Sequence, residues 1–443
     1  VVVANPPYMG GKGMNGPLSN YLAQRYPDGK FDLMTAFITR AVSLTRKAGF
    51  SASITLDGWM FLTSCEKFRK KLLHHNRISS LVHIGWNTFP EGHLYNRGVA
   101  FIISKTTGKE KGQFFDLSNV PATIGKNDLF LERVSSGAFQ YAVGREALDA
   151  IPGSPIAYWA SEEVISAYRE NDKLSDTYKP VQGLITGNMD KFSRLWHEVN
   201  DERRGKLEDD ALRSTRVEHR WFPYNKGGSY RKWYGNFEYV VDWEGDGQRL
   251  KNYKNDKGKL LSRPQNEKTY FQAGLTWTAI SSSYFAVRYS PRGAIGSNAG
   301  MMVFSHSGTS DDLMGLCGLM NSSLATHLMR CLSESFNFDQ GVISKIPVMH
   351  SALANDLAVK RMVEWSKSDW DAYETSWDFT TLPLLSPDHR GETLADSYAT
   401  LRAHWQSMTD EMQALEEENN RIFIDAYGLQ DELTPEVPLE EIT

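Results

Sequence analysis

The sequence predicts an α/β fold, and three observations carry that reading. Through residues 1–103, β-branched apolar runs alternate with amphipathic stretches in the order strand, helix, strand, helix, strand, strand. Beyond about residue 160 the texture turns aromatic, basic and Gly-rich, without helical periodicity. From Leu394 onward apolar residues recur at alternating steps of four and three, the spacing of a long helix with one apolar seam. The opening alternation is that of half an α/β sheet with helix-covered faces. These textures divide the chain into 1–160, 161–350 and a helical region at 351–443.

Taken in order, Val1-Val2-Val3-Ala4 reads as a buried strand that stops abruptly at Asn5-Pro6-Pro7-Tyr8, because proline supplies no ladder N–H and restricts the residue before it. Gly10-Gly11-Lys12-Gly13 then opens onto a polar loop. Phe31 to Leu44 is spaced as an amphipathic helix, stopped near Lys47-Ala48-Gly49. Phe50 to Leu56 reads as a strand, Ser64 as the N-cap of a helix through Phe68, Leu72 and Leu73, and Ser79 to Ile84 as the next strand. A loop containing Phe89-Pro90-Glu91-Gly92 leads into the apolar strand Val99 to Ile103.

In the middle region Lys191 and Arg194 flank Phe192 and Trp196, and Lys226, Arg231 and Lys232 interleave with Tyr230, Trp233 and Tyr234. Cations and rings so close together offer phosphate partners and stacking faces. The same composition also describes a loop-rich β domain with a solvated basic hairpin. Leu313 through Met329 reads as a buried helix pair broken near Asn321. The C-terminal seam runs Leu394, Tyr398, Leu401, Trp405, Met408, Met412, Leu415, Asn419, Ile422, with Glu416-Glu417-Glu418 on the solvated side. Such a stripe needs a facing helix, which Asn355 to Trp365 can supply.

Composition is that of a globular chain: 443 residues, 41% hydrophobic, 23% charged, formal net charge -5. A net negative charge leaves any nucleic-acid contact to local patches. Cys65, Cys317 and Cys331 show no metal-ligand spacing and fit a reducing cytoplasm. His74-His75, His83 and His93 fit a helix end and loops rather than a metal site, so no metal is expected. No apolar run is long enough to span a bilayer and no signal peptide opens the chain. The chain lacks an initiator Met and begins inside a strand, and so reads as a piece of something longer.

The chemistry lies in Asn5-Pro6-Pro7-Tyr8. The Asn5 side-chain carbonyl and the Pro6 main-chain carbonyl are acceptors, and Tyr8 offers a flat apolar face. Two acceptors aimed at one exocyclic NH₂ draw its protons into hydrogen bonds and leave the nitrogen lone pair free to attack an electrophile. A stacked ring would hold the base that carries the NH₂, once that base has been flipped from its duplex.

These residues resemble the catalytic motif of the amino-directed DNA methyltransferases, whose (Asn/Asp/Ser)-Pro-Pro-(Tyr/Phe) strand end binds a flipped adenine or cytosine; the asparagine form favours adenine N6. The resemblance implies that Asn5, Pro6 and Tyr8 are catalytic and that 1–160 is the second half of a Rossmann-like methyltransferase sheet. It also implies that Phe89, which reads equally well as core, stacks on the base. The middle stretches, with Leu319 to Ser323, Phe336 to Pro347, Asp369 to Glu374 and Asn420 to Leu429, resemble single-chain restriction-modification enzymes and the methyltransferases of the BREX phage-defence system.

That likeness covers nearly the whole chain and implies an α+β target-recognition domain at 161–350 with Lys191, Arg194, Lys226, Tyr230, Arg231, Lys232 and Trp233 on double-stranded DNA. It further implies a bacterial cytoplasmic enzyme, other phage-defence subunits as partners, and S-adenosylmethionine as methyl donor. In this family the Gly-rich turn that cradles the cofactor lies upstream of the Asn-Pro-Pro-Tyr strand, so this stretch alone is expected to bind the cofactor weakly or not at all. The same residues leave open a cytosine-N4 methyltransferase, or a non-catalytic recognition subunit that keeps the corner.

Overall fold

The computed structural model describes all residues except 87, 89–96, 109, 121–124, 138–139, 208–218, 281–283, 308–311 and 334–336. Two compact units emerge: residues 1–170 with a short stretch at 331–334, and residues 171–330 with 335–443.

In the first unit, strands β1 (Val2–Ala4), β2 (Phe50–Leu56), β3 (Arg77–Gly85), β4 (Gly98–Ser104), β5 (Gly112–Asp116) and β6 (Gln140–Val143) form one sheet in the order β1-β2-β4-β3-β5-β6. β1 runs parallel to β2 and β3 parallel to β5, while β4 lies antiparallel between β2 and β3. β1, β2, β3 and β5 therefore point one way, and their carboxyl ends share one edge. Helices α1 (Gly16–Arg25), α2 (Leu33–Leu44), α3 (Glu66–His75), α4 (Lys126–Ser136) and α5 (Glu162–Glu170) accompany them. The core gathers Ile38, Trp59, Phe68, Leu81, Val99 and Phe101. Arg69 is buried there, donating to the carbonyls of Trp59, Leu62, Gly153 and Ser154. Burial pushes its guanidinium down to about 10, with Cys65 and Glu66 opposing the shift.

Several local expectations change. β1 is an edge strand with Val1 and Val3 exposed, not a buried one. Gly10 to Gly13 leads through a short 3-10 turn into α1, whose N-cap Asn15 accepts from the Leu18 N–H at 3.0 Å, so no long polar loop follows. Ser64 does not cap α3: the N-cap position falls to Cys65, whose side chain makes no capping bond. α5, whose buried Val164, Ile165, Ala167 and Tyr168 keep helical spacing, lies just past the point where periodicity fades.

In the second unit, β7 (Tyr178–Val181), β8 (Ser193–Leu195), β9 (Trp221–Asn225), β10 (Tyr239–Asp242), β11 (Gly274–Thr278), β12 (Val287–Ser290), β13 (Ile295–Gly296) and β14 (Gly300–Ser305) make two four-stranded sheets, ordered β13-β9-β10-β8 and β12-β11-β14-β7. The strands cross closely where glycine permits it. A Cβ on Gly183 would lie 1.9 Å from the Gly296 carbonyl oxygen, and one on Gly300 2.3 Å from that of Asn225.

Helices α6 (Asp312–Asn321), α7 (Ser323–Leu332), α8 (Asp356–Asp371) and α9 (Leu394–Tyr427) complete the chain. The break between α6 and α7 falls at Asn321 as the sequence predicts. The Asn321 side chain accepts from the Val287 N–H at 2.8 Å and donates to its carbonyl at 3.0 Å, completing the edge of β12. α9 begins with a Thr393/Asp396 capping box and ends at Gly428 in the left-handed region. It packs on α8, as the facing segment at Asn355 to Trp365 predicts, with an Arg361–Glu411 ion pair across them.

The seam departs from expectation at both ends. Leu394, Tyr398 and Trp405 are exposed, while Leu401, Met412, Phe423, Ile424 and Tyr427 are buried. Glu416 is not solvated: it is 2% exposed and accepts from Lys232 Nζ at 2.7 Å and Trp233 Nε1 at 2.6 Å.

Candidate functional site

The carboxyl edge of the first unit's sheet collects the chemistry. Ala4 is in register with Ser53, so Asn5 leaves β1 beside the carboxyl-terminal part of β2. Pro6 is buried and locks the corner, while Asn5 is exposed at its tip. The Tyr8 hydroxyl donates to Asn5 Oδ1 at 2.9 Å and approaches the Ile54 carbonyl at 3.5 Å. Its ring packs half-buried against the core, and burial raises the phenol above its ordinary value. The next residues are tied to α2: the Met9 N–H donates to Asp32 Oδ1 at 3.4 Å, and the same oxygen caps α2 by accepting from the Met34 N–H at 2.9 Å.

The corner is thus clamped on both sides, and one Asn5 carbonyl lone pair remains for a ligand N–H. The Pro6 main-chain oxygen lies one residue on. The arrangement suits gripping an amino group beside an aromatic ring.

A polar cluster, buried at His83 and half-buried at Asp57 and Arg97, lies on the same edge. Asp57, the first residue past β2, accepts from His83 Nε2 at 3.0 Å and forms an ion pair with the Arg97 guanidinium, whose Nε lies 3.0 Å from the same carboxylate oxygen. His83 is fully buried on β3, with Nδ1 3.0 Å from the Tyr158 hydroxyl. This corrects the placement of His83 in a loop. The sequence reading passed over Asp57 and Arg97, although an Asp ending a strand and a His on its inward phase are legible signals. Phe89 and His93 lie outside the described residues.

The basic and aromatic candidates separate into two groups. Lys191 is exposed, with Nζ 4.6 Å from the Tyr253 ring centroid; Arg194 lies over Trp221 at 5.9 Å; Lys226 lies over Tyr239 at 4.1 Å. These three surround the sheet containing β8, β9 and β10 and keep their charge near the surface.

The others turn inward. Arg231 donates to Asp369 at 3.0 and 3.2 Å and stacks on Trp370. Lys232 is buried against Glu416, and the fully buried Trp233 has φ 65° and donates to the same carboxylate. Burial raises the Tyr230 phenol, with Glu441 and Glu416 adding to the shift. Lys232 and Trp233 cannot grip a nucleic acid from there, because their polar atoms are sequestered in the fold. Cys65, Cys317 and Cys331 are buried, and among the described residues no group of three His, Cys, Asp or Glu is placed to hold a metal.

A strand end that exposes an amide acceptor at the carboxyl edge of an α/β sheet defines the candidate site, and known proteins share the fold. The type IIL restriction-modification enzyme MmeI, solved in complex with DNA, shares the fold with a TM-score of 0.51 over 98% of this chain and 55% of that one, at 12% identity. Residues 1–89 match the model of the Eco57I restriction-modification methylase family. Over 98% of its length it is 34% identical to adenine-specific methyltransferase PglX of Lacticaseibacillus casei (strain Zhang), covering 37% of that protein. It is also 34% identical to adenine-specific methyltransferase BrxX of Escherichia coli O9:H4 (strain HS), covering 34% of it. The chain thus spans little more than a third of the length of these relatives.

Proposed function

We propose that this chain is part of a site-specific DNA methyltransferase of phage-defence type that methylates adenine N6 in a flipped-out base. The Asn5–Tyr8 corner carries the reading: an exposed amide carbonyl braced at 2.9 Å by the neighbouring phenol, at the carboxyl edge where open α/β sheets hold their ligands. Asn5 Oδ1 and the Pro6 carbonyl accept the two amino protons, Tyr8 stacks on the purine, and the nitrogen lone pair is held off the ring for attack. S-adenosylmethionine supplies the sulfonium methyl in such enzymes. Gly10 to Gly13 is tied by main-chain bonds to Phe31 and to itself, so this turn after β1 is closed on itself and does not fit as the cradle of that cofactor.

In this reading 1–160 is the second half of the catalytic domain, 161–350 recognises the target, and 351–443 is a helical region behind it. Lys191, Arg194 and Lys226 contact double-stranded DNA. Asn5→Ala in the complete protein is expected to abolish methylation while leaving DNA binding within about twofold of wild type. Retained methylation sinks the assignment. Mass analysis of nucleosides from modified DNA is expected to yield N6-methyladenine, and N4-methylcytosine would overturn the choice of base.

A further inference from the structure

The Asp57 cluster is more elaborate than a sheet edge needs. Beyond the Asp57–Arg97 ion pair, the Asp57 N–H donates to the Arg97 carbonyl at 3.1 Å, so the two residues are joined through both main chain and side chain. The same Asp57 oxygen is also bound by His83, itself fixed by Tyr158. What this rigid unit presents is Trp86, the residue that follows β3 at the same edge as Asn5. Its indole is 43% exposed, and the Arg97 guanidinium sits 5.7 Å from the ring centroid. Its carbonyl accepts from Lys126 Nζ at 2.7 Å, and the same ammonium also reaches the Ile84 carbonyl. Gly85, between them, has φ 71°, and a Cβ there would fall 2.5 Å from Ser118 Cα, so the turn that carries Trp86 is locked by a close approach. Two cations and a tight turn therefore hold a large exposed ring in one orientation.

We infer that Trp86 is a stacking contact for a nucleotide next to the target base, with Asp57, Arg97 and His83 as positioning residues. An exposed indole already fixed in place loses little freedom on stacking, and Arg97 and Lys126 beside it favour the phosphates that flank a stacked base. The inference rests on the proposed methyltransferase function and adds to it a second aromatic surface, after β3 rather than after β1.

The test uses the complete protein and unmodified genomic DNA, reading KM for DNA, kcat and thermal melting. Trp86→Ala is expected to raise KM at least fivefold with kcat within twofold of wild type, while Trp86→Phe, which keeps a ring, restores KM to within twofold. Asp57→Asn is expected to raise KM in the same direction, and Asp57→Asn combined with Trp86→Ala to be no worse than Trp86→Ala alone. A Trp86→Ala KM within twofold of wild type overturns the inference, as does a Trp86→Phe variant that melts like wild type yet is as defective as Trp86→Ala. A wild-type protein that methylates nothing removes the functional reading itself, a different failure from that of Trp86.

Discussion

Replacing Glu416 by Ala should destabilise the second unit by about 4 kcal/mol, the cost of leaving one partner of a buried ion pair alone. Two groups lose their acceptor. Among the described residues Lys232 Nζ keeps the Glu441 carboxylate, 3.6 Å away, and the Trp233 indole N–H, whose residue sits at φ 65°, loses a 2.6 Å bond. An orphaned buried donor costs about 1–3 kcal/mol by itself, and breaking a buried pair about 3–5 kcal/mol; because Glu416 serves both, the effects overlap rather than add. Glu416→Gln, which keeps an acceptor for the indole, should cost about half as much, and Lys232→Met combined with Glu416→Leu should recover most of the loss by removing both charges.

Urea unfolding followed by tryptophan fluorescence reads these differences, and DNA affinity measured across salt concentrations reads the competing role. If Lys232 and Trp233 are structural, Lys232→Met leaves the salt slope of DNA binding unchanged. A Glu416→Ala variant within about 1 kcal/mol of wild type, or a Lys232→Met variant of native stability whose salt slope falls by about one, would refute the reasoning.

At the corner, Tyr8→Phe keeps the ring but removes the bond to Asn5, and should slow methylation about fivefold, the worth of one modest hydrogen bond. Tyr8→Ala also removes the stacking face and should cost at least about tenfold more; equal rates for the two would exclude stacking by Tyr8. Tyr427, which donates to the Pro347 carbonyl at 3.0 Å and accepts from the Met349 N–H at 2.8 Å, is pushed up to about 12 by burial. Because the folded phenol titrates above its ordinary 10.0, its contribution is complete below pH 10 and is lost as pH rises toward 12, so urea midpoints should fall between those values, less steeply in Tyr427→Phe. Truncation after residue 390 removes the buried Leu401, Met412, Phe423 and Ile424 and should abolish the cooperative transition of the second unit; an unchanged melt would deny α9 any packing role.

How much of this was legible in the chain varies from element to element. β2 ends where Phe50 to Leu56 ends, because alternation and a flanking glycine specify a half-buried strand locally. Ser64 was misread because an N-cap is decided by the angle at which the chain enters the helix, and here a 3-10 turn at Thr63–Cys65 takes up that position. Spacing could say that Glu416, Glu417 and Glu418 share one turn of a helix. It could not say that the first would meet Lys232, 184 residues away, since only packing brings such partners together. The same limit hid Asp57, His83 and Arg97 as a cluster, for each alone is an ordinary strand-end or strand residue.

The sequence by itself determined the α/β opening, the long C-terminal helix with its facing partner and, through two prolines after a strand, the stiff corner at Asn5. These are properties of periodicity and backbone restriction, and they act over a few residues. Tertiary structure alone decided which cations stay at the surface and which are buried. The basic aromatic run at 226–234 is continuous in sequence, yet Lys226 lies over Tyr239 near the surface while Lys232 and Trp233 turn inward onto Glu416. The physical reason is that a charge may leave water only where a distant segment supplies its counter-charge and hydrogen bonds, and no local pattern encodes that meeting.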